Sequence, residues 1–308
     1  MTGTGADNTR WIGVDWGTSN MRAWVMDDRD RVIATLRSDR GMGQLSRDEF
    51  EPALLTLIAD HLPADRVTPV FACGMVGSRQ GWAEAKYEAV PCEPPTRSTT
   101  VSAPCRDGRI SVQIIPGVKQ AKPADVMRGE ETQIAGFLSV KPKFDGVLCL
   151  PGTHTKWVRI SAGEIVSFQT FMTGELFGLI EKQSVLRHSI AADGWDQDAF
   201  ASALSDSLSK PEAVAARLFT VRADALLSGA SAVAARARVS GLLIGMELAA
   251  ARPYWLGQEV AIIGTPKLAE AYRSALAQQG IEPQVTEAEA MTLSGLKSAY
   301  QATKEPMK

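Results

Sequence analysis

A strand–turn–strand pattern that occurs twice constrains the fold of this chain more than any other feature. Residues 11–37 read as a strand, a Gly-Thr turn that begins at Gly17, a second strand, a polar turn and a third strand. Residues 146–171 repeat this order, with a second Gly-Thr turn at Gly152. Short runs rich in β-branched and aromatic residues, separated by tight turns, are typical of an antiparallel meander. The repeat predicts two duplicated domains that begin with the same three strands.

The composition agrees with two domains of ordinary globular type. The 308 residues are 45% hydrophobic and 22% charged, and a domain of about 150 residues can bury a core of its own. We place the boundary near residue 145, which predicts a first domain of residues 1–145 and a second of residues 146–308. A buried strand is predicted at 67–78, and another at the start of 259–280. Helical spacing of apolar residues predicts helices at 47–62, 126–140, 172–190, 196–210, 239–255, the second part of 259–280, and 287–304.

Charge, cysteine content and hydropathy exclude several classes of function. A net charge of −2 does not create the basic surface that nucleic acid or anionic lipid attracts. The four cysteines have no CxxC spacing and there are three histidines, so we expect neither a zinc site nor a disulfide framework, and a reducing cytosol fits. The N-terminal segment lacks the apolar core of a signal peptide. The longest apolar stretch, residues 240–251, is too short to cross a bilayer. These features predict a cytoplasmic protein that binds neither nucleic acid nor membrane.

Both Gly-Thr turns have the composition of an anion-binding site. Successive backbone N–H groups in such a turn converge on one point, and short hydroxyl or amide side chains add donors. Two turns of this kind, facing each other across a cleft, would hold a polyphosphate from both sides, whereas a single turn is most often only a hairpin. His154 could donate to phosphate or cap its turn. The candidate phosphate-binding residues are Gly17, Thr18, Ser19, Asn20, Gly152, Thr153, His154 and Thr155.

A third Gly-Thr turn, at residues 262–267, ends a strand and begins a helix. The N-terminus of the helix contributes partial positive charge, and Gly264 lets a flat group approach the backbone. Asp15, at the end of the first strand, would repel phosphate unless a magnesium ion lay between them. Because magnesium keeps several waters and accepts one or two carboxylates, we expect Asp15 to hold Mg through water. The chain has no GxxxxGK[ST] motif, which excludes a P-loop, and residues 41–46 read as a glycine-rich loop.

Taken together, these motifs resemble those of actin, the heat-shock ATPases and the sugar kinases, a superfamily with two phosphate hairpins and one adenosine-binding turn on duplicated domains. The segment around Asp15 is similar to the first phosphate motif of the sugar kinases, and Arg22 matches an arginine that lies near the nucleotide phosphates there. The resemblance implies an α/β fold of two duplicated ribonuclease-H-like domains, the actin-like ATPase fold, around a central nucleotide cleft. It implies that adenosine rests on Gly264, Thr265 and Pro266.

More narrowly, the chain resembles the 2-dehydro-3-deoxygalactonokinase family over residues 11 to 300. This resemblance rests on five segments that read, in order, IGVDWGTSNMRAW, GMVGSRQGW, VMRGEETQIAG, LPGTHTKWV and MTGEL. It implies transfer of the ATP γ-phosphoryl group to the terminal hydroxyl of 2-dehydro-3-deoxy-D-galactonate. The products would be 2-dehydro-3-deoxy-6-phospho-D-galactonate and ADP, in bacterial galactonate catabolism.

Phosphoryl transfer requires in-line positioning, neutralisation of charge, and a carboxylate that accepts the proton of the attacking hydroxyl. In related sugar kinases that carboxylate is an aspartate at a helix start, before the second phosphate turn. Glu130 matches this position, with Glu131 as the alternative, although the extra methylene of glutamate changes the geometry. The same acidic residues could also be a first turn stabilised by the helix dipole.

The glycine-rich strand end at residues 71–82 matches the part of related kinases that touches the sugar. Gly74, Met75, Gly77 and Ser78 could supply backbone contacts there. A carboxylate substrate favours arginine, because the planar guanidinium recognises it bidentately. The candidates are Arg79 and Arg128, either of which could instead be a solvated surface residue.

For several nearby residues a structural role competes with a functional one. Trp82 could line the sugar pocket or belong to the core, and Trp16 is expected to pack between domains. Lys156 could neutralise phosphate but is expected to be solvated. Residues 172–175 would lie near the nucleotide by resemblance, whereas a capping role for Thr173 would also explain them.

Two other functions compete with this interpretation. One is another sugar or sugar-acid kinase of the same superfamily, and the other is a non-catalytic sugar sensor or chaperone-like module. The sequence has neither a helix-turn-helix extension nor a peptide-binding domain, which counts against the second. It leaves open the stereochemical preference, which arginine binds the carboxylate, the regulation, and whether the protein forms a homodimer.

Overall fold

The computed structural model describes residues 5–95 and 99–304. Contacts between Cα atoms divide the chain into two compact units. Unit 1 comprises the described residues of Met1–Phe144 and Ala288–Lys308, together with Ser161–Ser167. Unit 2 comprises Asp145–Ile160 and Phe168–Glu287.

Strands and helices are numbered along the chain. The strands are β1 (Trp11–Trp16), β2 (Met21–Met26), β3 (Val32–Ser38), β4 (Thr68–Gly74), β5 (Glu88–Ala89), β6 (Val101–Ser102), β7 (Ile110–Ile114), β8 (Val118–Gln120), β9 (Asp125–Met127), β10 (Gly146–Leu150), β11 (Thr155–Ser161), β12 (Glu164–Phe171), β13 (Val260–Gly264) and β14 (Gln284–Glu287). The helices are α1 (Phe50–Ile58), α2 (Glu130–Val140), α3 (Thr173–Gln183), α4 (Gln197–Ser209), α5 (Val214–Leu227), α6 (Ala232–Ala250), α7 (Arg252–Trp255), α8 (Pro266–Ala277) and α9 (Ala288–Gln301).

The main sheet of unit 1 has the strand order β3-β2-β1-β4-β7-β6. The first three strands form the predicted antiparallel meander, and β4 and β7 then add in parallel to β1. Side chains of β1 alternate between two cores, because Val14 packs in the cluster that contains Phe50 of α1, whereas Trp11 packs in the cluster that contains Leu296 of α9. Burial on both faces explains why β1 reads as a nearly continuous apolar run.

The sheet of unit 2 repeats this arrangement with the order β12-β11-β10-β13-β14. Its central strand β10 pairs antiparallel with β11 and parallel with β13, and β14 adds in parallel to β13. The turn between β11 and β12 has positive φ at both Ala162 (52°) and Gly163 (82°), which matches the twist of a tight hairpin. Each unit therefore carries an antiparallel meander followed by parallel strands, and the predicted α/β fold of duplicated, ribonuclease-H-like units of the actin-like ATPase class is confirmed.

Several element bounds differ from the sequence predictions. The strand predicted over 67–78 ends at Gly74, where φ is +89°, and a 3-10 turn, Met75–Gly77, follows. The helix predicted over 126–140 begins only at Glu130, because β9 and Gly129, with φ of +108°, precede it. Helix α5 was not predicted, and its narrow buried stripe, Val214 and Val221, explains the weak periodicity.

The C-terminal helix α9 belongs to unit 1, whereas the sequence placed residues 146–308 in one domain. It crosses α2 with almost no space between the two backbones. A Cβ atom at Gly136 would lie 1.9 Å from the carbonyl oxygen of Met291, and one at Gly295 would lie 1.9 Å from that of Thr132. The spacing of apolar residues predicts an amphipathic helix but does not reveal which core its apolar face covers. The packing of α9 against α2 was therefore not predictable from the sequence.

Two expectations from composition can be compared with the structure. All four cysteine thiols are free, which agrees with the absence of a disulfide framework. In the parts of the chain that the structure describes, no helix is long and apolar enough to cross a membrane.

The crossing of α2 and α9 predicts opposite effects for two Gly-to-Ala substitutions in helices. Gly295→Ala should lower the free energy of unfolding by about 3 kcal/mol, because the new methyl group collides with rigid backbone. Gly178→Ala, in α3, meets no atom within 4 Å and should raise stability by up to about 1 kcal/mol through helix propensity. Urea denaturation measures both changes. Equal stability of the two variants would contradict the close crossing.

Candidate active site

The first Gly-Thr turn connects β1 to β2 and is supported from beneath by a second loop. The amide of Gly17 donates to the carbonyl of Asn20 at 2.9 Å, and the side chains of Thr18, Ser19 and Asn20 are exposed. The amide of Gly43 donates to the carbonyl of Thr18 at 2.9 Å. A Cβ atom at Gly41 would lie 2.3 Å from that same oxygen. The loop at 41–46, which the sequence left without a role, therefore fixes the turn.

The turn presents donors that the protein itself does not use. The backbone amides of Thr18 and Ser19 have no acceptor within residues 5–95 and 99–304. Adjacent free amides on an exposed turn can bind an anion. The predicted phosphate-binding chemistry is therefore available at this position.

Asp15 lies near the end of β1, opposite Arg22 of β2 and Cys73 of β4. Burial raises the pKa of Asp15, the charge of Arg22 opposes this shift, and the charges of Glu289 and Glu130 reinforce it. A negative group that is both buried and close to other carboxylates is stabilised by added positive charge. This environment is suited to a cation.

The ends of β4 and the start of α2 meet beside Asp15. A Cβ atom at Gly74 would lie 2.8 Å from the carbonyl oxygen of Trp16 and 3.5 Å from Oδ1 of Asp15. A Cβ atom at Gly129 would lie 3.5 Å from the Cα atom of Gly74. Glycine at both positions lets the two chain segments approach closely, which brings the first residue of α2, Glu130, to the same site.

The two glutamates at the start of α2 have different environments. Glu130 is partly exposed, and its Oε2 accepts a hydrogen bond from the backbone amide of Arg128 at 3.1 Å. Glu131 is fully buried and accepts from the amide of Gly129 at 2.6 Å and from the hydroxyl of Thr132 at 3.1 Å. Burial, followed by the charge of Glu130, raises the pKa of Glu131 to about 8. The geometry therefore favours Glu130 over Glu131 as a group that can reach a substrate.

The predicted sugar-binding residues follow Gly74 in the 3-10 turn and separate into two environments. Met75 and Gly77 form the turn, and a Cβ atom at Gly77 would lie 2.8 Å from Nη1 of Arg128. Ser78, the next residue, is buried. Arg79, in contrast, points outward with its side chain 82% exposed and pairs with Glu84 at 3.7 Å.

The tryptophans near this site are core residues. Trp82 is buried and stacks on Phe50, with ring centroids 6.3 Å apart. Trp16 contacts both rings edge-on, and its Nε1 donates to the carbonyl of Arg40 at 3.1 Å. Both side chains lie in the core of unit 1. For Trp82 this supports the core interpretation, whereas the expectation that Trp16 packs between domains is wrong.

Arg22, predicted to lie near the nucleotide phosphates, is paired with an acid. Its guanidinium lies 3.1 Å from Glu289 in the first turn of α9, and it also lies 5.6 Å from the ring centroid of Trp24. Arg37 approaches the same carboxylate at 3.1 Å. A phosphate contact by Arg22 would therefore compete with Glu289, a residue that belongs to no motif selected from the sequence.

The second Gly-Thr turn, in unit 2, is supported by the start of α3. The amide of Glu175 donates to the carbonyl of Thr153 at 2.9 Å, and a Cβ atom at Gly174 would lie 2.2 Å from the carbonyl oxygen of Gly152. His154 is exposed, and its Nε2 lies 2.5 Å from Oε2 of Glu175. The resemblance that linked residues 172–175 to the phosphate turn thus has a structural counterpart.

Two residues of this segment are oriented differently from the prediction. The side chain of Thr155 is buried, with its hydroxyl 2.9 Å from that of Tyr272, and so does not extend toward a ligand. Lys156, expected to be solvated, is buried, and its Nζ donates to the carbonyl of His154 at 3.1 Å. Both faces of β11 are covered at its start, so the side chains of these consecutive residues, which point to opposite faces, are both buried.

A buried carboxylate anchors the elements around this turn. Glu247 of α6 accepts from Nε1 of Trp157 at 2.8 Å, from the hydroxyl of Tyr272 at 2.8 Å, and from the hydroxyl of Thr173. Burial raises the pKa of Glu247 to about 7, although these hydrogen bonds lower it. Thr173 therefore serves this network and is not the N-cap, since α3 begins at Thr173 and Met172 precedes it.

Unit 2 contains a cavity of about 410 Å³ that adjoins the second and third Gly-Thr turns. Gly152 and Thr265 both line it, and its walls include the aromatic rings of Phe177 and Trp195. Arg236, another lining residue, pairs with Glu181 and lies 5.0 Å from the centroid of Phe177. A concave site of this volume with aromatic walls can hold a flat heterocycle.

The third turn forms one edge of this cavity. β13 ends at Gly264, Thr265 is the N-cap of α8, and Pro266 is its first residue. Proline is favoured at this position because the missing N–H would have no helical partner. Of the three residues predicted to contact a flat ligand, Gly264, Thr265 and Pro266, only Thr265 lines the cavity. Phe177, Trp195 and Arg236 could not be selected from the sequence, because they are distant in the chain and belong to no motif.

The raised pKa of Glu131 predicts a pH dependence of stability. In the folded state Glu131 keeps its proton up to about pH 8, whereas its ordinary pKa is 4.5. As pH rises from 5 to 8 the unfolded chain loses this proton and the folded chain retains it, so the free energy of unfolding falls. Relative to the Glu131→Gln variant, which has no such proton, the wild type should lose about 2–4 kcal/mol over this range.

Urea denaturation at pH 5 and pH 8 measures this difference. The exposed Glu212→Gln variant is the matched control and should follow the wild type. Parallel pH profiles for the wild type and Glu131→Gln would show that this carboxyl is ionised in the folded protein.

Known proteins resemble the chain over nearly its whole length. The 2-keto-3-deoxy-galactonokinase family matches residues 15–299. DgoK1 of Rhizobium meliloti (strain 1021), named as a probable 2-dehydro-3-deoxygalactonokinase, is 38% identical over 304 residues, which cover 95% of this chain and 97% of that protein. The 2-dehydro-3-deoxygalactonokinase of Escherichia coli (strain K12) is 31% identical over 296 residues, covering 95% and 98%.

A solved structure agrees with these relatives. The crystal structure of a Sinorhizobium meliloti protein assigned as a 2-dehydro-3-deoxygalactonokinase superposes with a TM-score of 0.88 at 36% identity, covering 95% of this chain and 99% of that one. The sequence and structure comparisons thus agree on the same family over nearly the whole chain. The chain belongs to the 2-keto-3-deoxy-galactonokinase family, a family of sugar-acid kinases.

Proposed function

We propose that the protein transfers the γ-phosphoryl group of ATP to the terminal hydroxyl of 2-dehydro-3-deoxy-D-galactonate. The products are 2-dehydro-3-deoxy-6-phospho-D-galactonate and ADP, and the reaction serves galactonate catabolism. The observation that carries the proposal is the meeting of Asp15, Gly74 and Glu130 at one site in a chain whose curated relatives carry this kinase name.

ATP binds through motifs in both units. Its adenosine occupies the unit 2 cavity against residues 264–266, which is supported by the volume and the aromatic lining of that cavity. Its phosphates contact the unused amides of Thr18 and Ser19 and the turn at residues 152–154, which is supported by the exposed position of both turns. His154 can donate to phosphate while Glu175 holds its ring.

Magnesium accompanies the nucleotide and is held by Asp15 through water. Across the described residues no group of three His, Cys, Asp or Glu side chains could form a protein cage for a metal ion. A single, partly buried carboxylate whose pKa is raised by desolvation and by nearby Glu289 and Glu130 fits a hydrated cation. When bound, the ion neutralises charge on the phosphates.

Glu130 acts as the general base. Its carboxylate accepts the proton of the terminal hydroxyl as the oxygen of that hydroxyl forms a bond to the γ-phosphorus. The bond from the γ-phosphorus to the β,γ-bridging oxygen breaks, and ADP leaves with the electron pair. The hydrogen bond from the amide of Arg128 orients the carboxylate. The partial exposure of Glu130, compared with the complete burial of Glu131, supports this assignment.

Replacement of the proposed base distinguishes a kinase from a non-catalytic sugar sensor of the same fold. Glu130→Gln should lower kcat by about 100-fold to 10,000-fold, which is the usual contribution of a general base. The affinity for ATP should change little, since the turns and the cavity remain. Coupled ADP release measures kcat, and equilibrium dialysis measures ATP binding, with Glu212→Gln as the control. Undiminished turnover would remove Glu130 from the mechanism.

A panel of acceptors separates the proposed substrate from those of related kinases. Wild-type protein should release ADP with 2-dehydro-3-deoxygalactonate and not with neutral hexoses or amino sugars. Turnover of a neutral hexose with no response to the sugar acid would assign the protein to another kinase activity.

The loop beneath the first turn provides a test of phosphate binding. Gly41→Ala places a methyl group against the backbone of Thr18 and Ser19 and should raise KM for ATP by about tenfold or more, because displaced donors lose alignment. Gly108→Ala, in the same unit, meets no atom within 4 Å and should leave KM unchanged. If both variants bind ATP like the wild type, the first turn does not hold the nucleotide.

A further inference from the structure

Arg128 carries buried hydrogen-bond donors that the protein does not satisfy. Its Nη2 donates to the carbonyl of Ala85 at 2.7 Å. Its Nε and Nη1 atoms are buried and have no hydrogen-bond partner among residues 5–95 and 99–304. Leaving charged donors unpaired in a buried position is costly, so their retention indicates that an acceptor from outside the chain can occupy this place.

The guanidinium of Arg128 is held in a fixed orientation. Its centre lies 4.3 Å from the centroid of the Tyr87 ring, which supports one face of the group. The absence of a side chain at Gly77 makes room for Nη1, because a Cβ atom there would lie only 2.8 Å away. A preorganised guanidinium loses little entropy when it binds a planar anion.

A second unsatisfied polar atom lies in the adjacent residue of the same turn. The hydroxyl of Ser78 is buried and has no partner in the described part of the chain. Ser78 follows Gly77, which contacts Arg128, and Arg128 is two residues from Glu130. Three donor atoms without partners, two of Arg128 and one of Ser78, therefore occur in the turn and strand end that precede the proposed base, all within unit 1.

The charge of Arg128 is not neutralised by an ion pair. The structure shows no salt bridge for Arg128 in the described residues, although its charge lowers the pKa of nearby Glu131. Glu131 is already bonded to Gly129 and Thr132. Arg79, the alternative from the sequence, is solvated and paired with Glu84.

We propose that Arg128, with the hydroxyl of Ser78, binds the carboxylate of the sugar acid and makes the site select acids over neutral sugars. This inference rests on the proposed function, because it needs a sugar-acid acceptor at unit 1. Arg128 is a specificity residue and takes no part in proton transfer.

The test compares the acid with a neutral analogue in which a primary amide replaces the C1 carboxylate. Arg128→Gln should lower kcat/KM for the acid by about 10- to 100-fold, the loss expected for a charge-assisted hydrogen bond. It should change kcat/KM for the amide by less than about threefold. Arg79→Gln and the exposed Arg29→Gln should leave both values close to those of the wild type.

A second measurement separates binding from a structural role. In thermal unfolding without nucleotide, the acid should stabilise the wild type but not Arg128→Gln, whereas ATP should stabilise both. Arg128→Lys, which keeps the charge but not the planar fork, should recover part of the preference for the acid and supplies the test if Arg128→Gln does not fold.

Four outcomes overturn the inference. Equal losses for acid and amide would make Arg128 a structural support of the loop at 77–85. A loss of acid preference in Arg79→Gln alone would move the carboxylate site to Arg79. If the wild type does not turn over the acid, the proposed function and this inference are both wrong. If the wild type is active and Arg128→Gln is unaffected, only the inference is wrong.

Discussion

Close approach of backbone segments at glycines is the constraint on which the site in unit 1 depends. Gly74 adopts positive φ where β4 ends, and the lack of a side chain lets it lie against Trp16 and Asp15. Gly129 in turn approaches Gly74 at the start of α2. A side chain at Gly74 would collide with the backbone of Trp16. Both Gly74 and Gly129 have positive φ, so a substitution at either position would strain the backbone that places Asp15 and Glu130.

The charged side chains of this environment are partly or fully shielded from water. Glu131 is buried and Asp15 is partly buried, and the pKa of each carboxyl is raised further by the charge of Glu130. Two arginines in this part of unit 1 differ in their partners, because Arg22 pairs with Glu289, whereas Arg128 has no ion pair in the described residues and carries two buried donors without an acceptor. An acidic site that also carries buried, unsatisfied guanidinium donors matches reactants that combine a metal-bound polyphosphate with a carboxylate.

Duplication supplied the same strand order twice, but the two units have acquired different chemistry. In unit 1 the turn after the first strand is supported by the loop at 41–46 and lies near the acids. In unit 2 the corresponding turn is supported by Gly174 and adjoins a cavity with aromatic walls. Below that turn the buried Glu247 joins β11, α3 and α8, so that the phosphate turn and the edge of the cavity are tied to one carboxylate.

The sequence by itself determined the two meanders, the three Gly-Thr turns and the acidic start of α2. The spacing of apolar residues, the residue types in the turns and the order of the motifs are all local properties of the chain. It could not determine that α9 packs in unit 1, that Thr155 and Lys156 point inward, or that Arg128 and not Arg79 is buried with unpaired donors. It also gave no sign of Phe177 and Trp195 as cavity walls. These features depend on which parts of the chain, distant in sequence, pack together. Tertiary contacts decide which side chains are buried, and burial in turn sets side-chain orientation and protonation state.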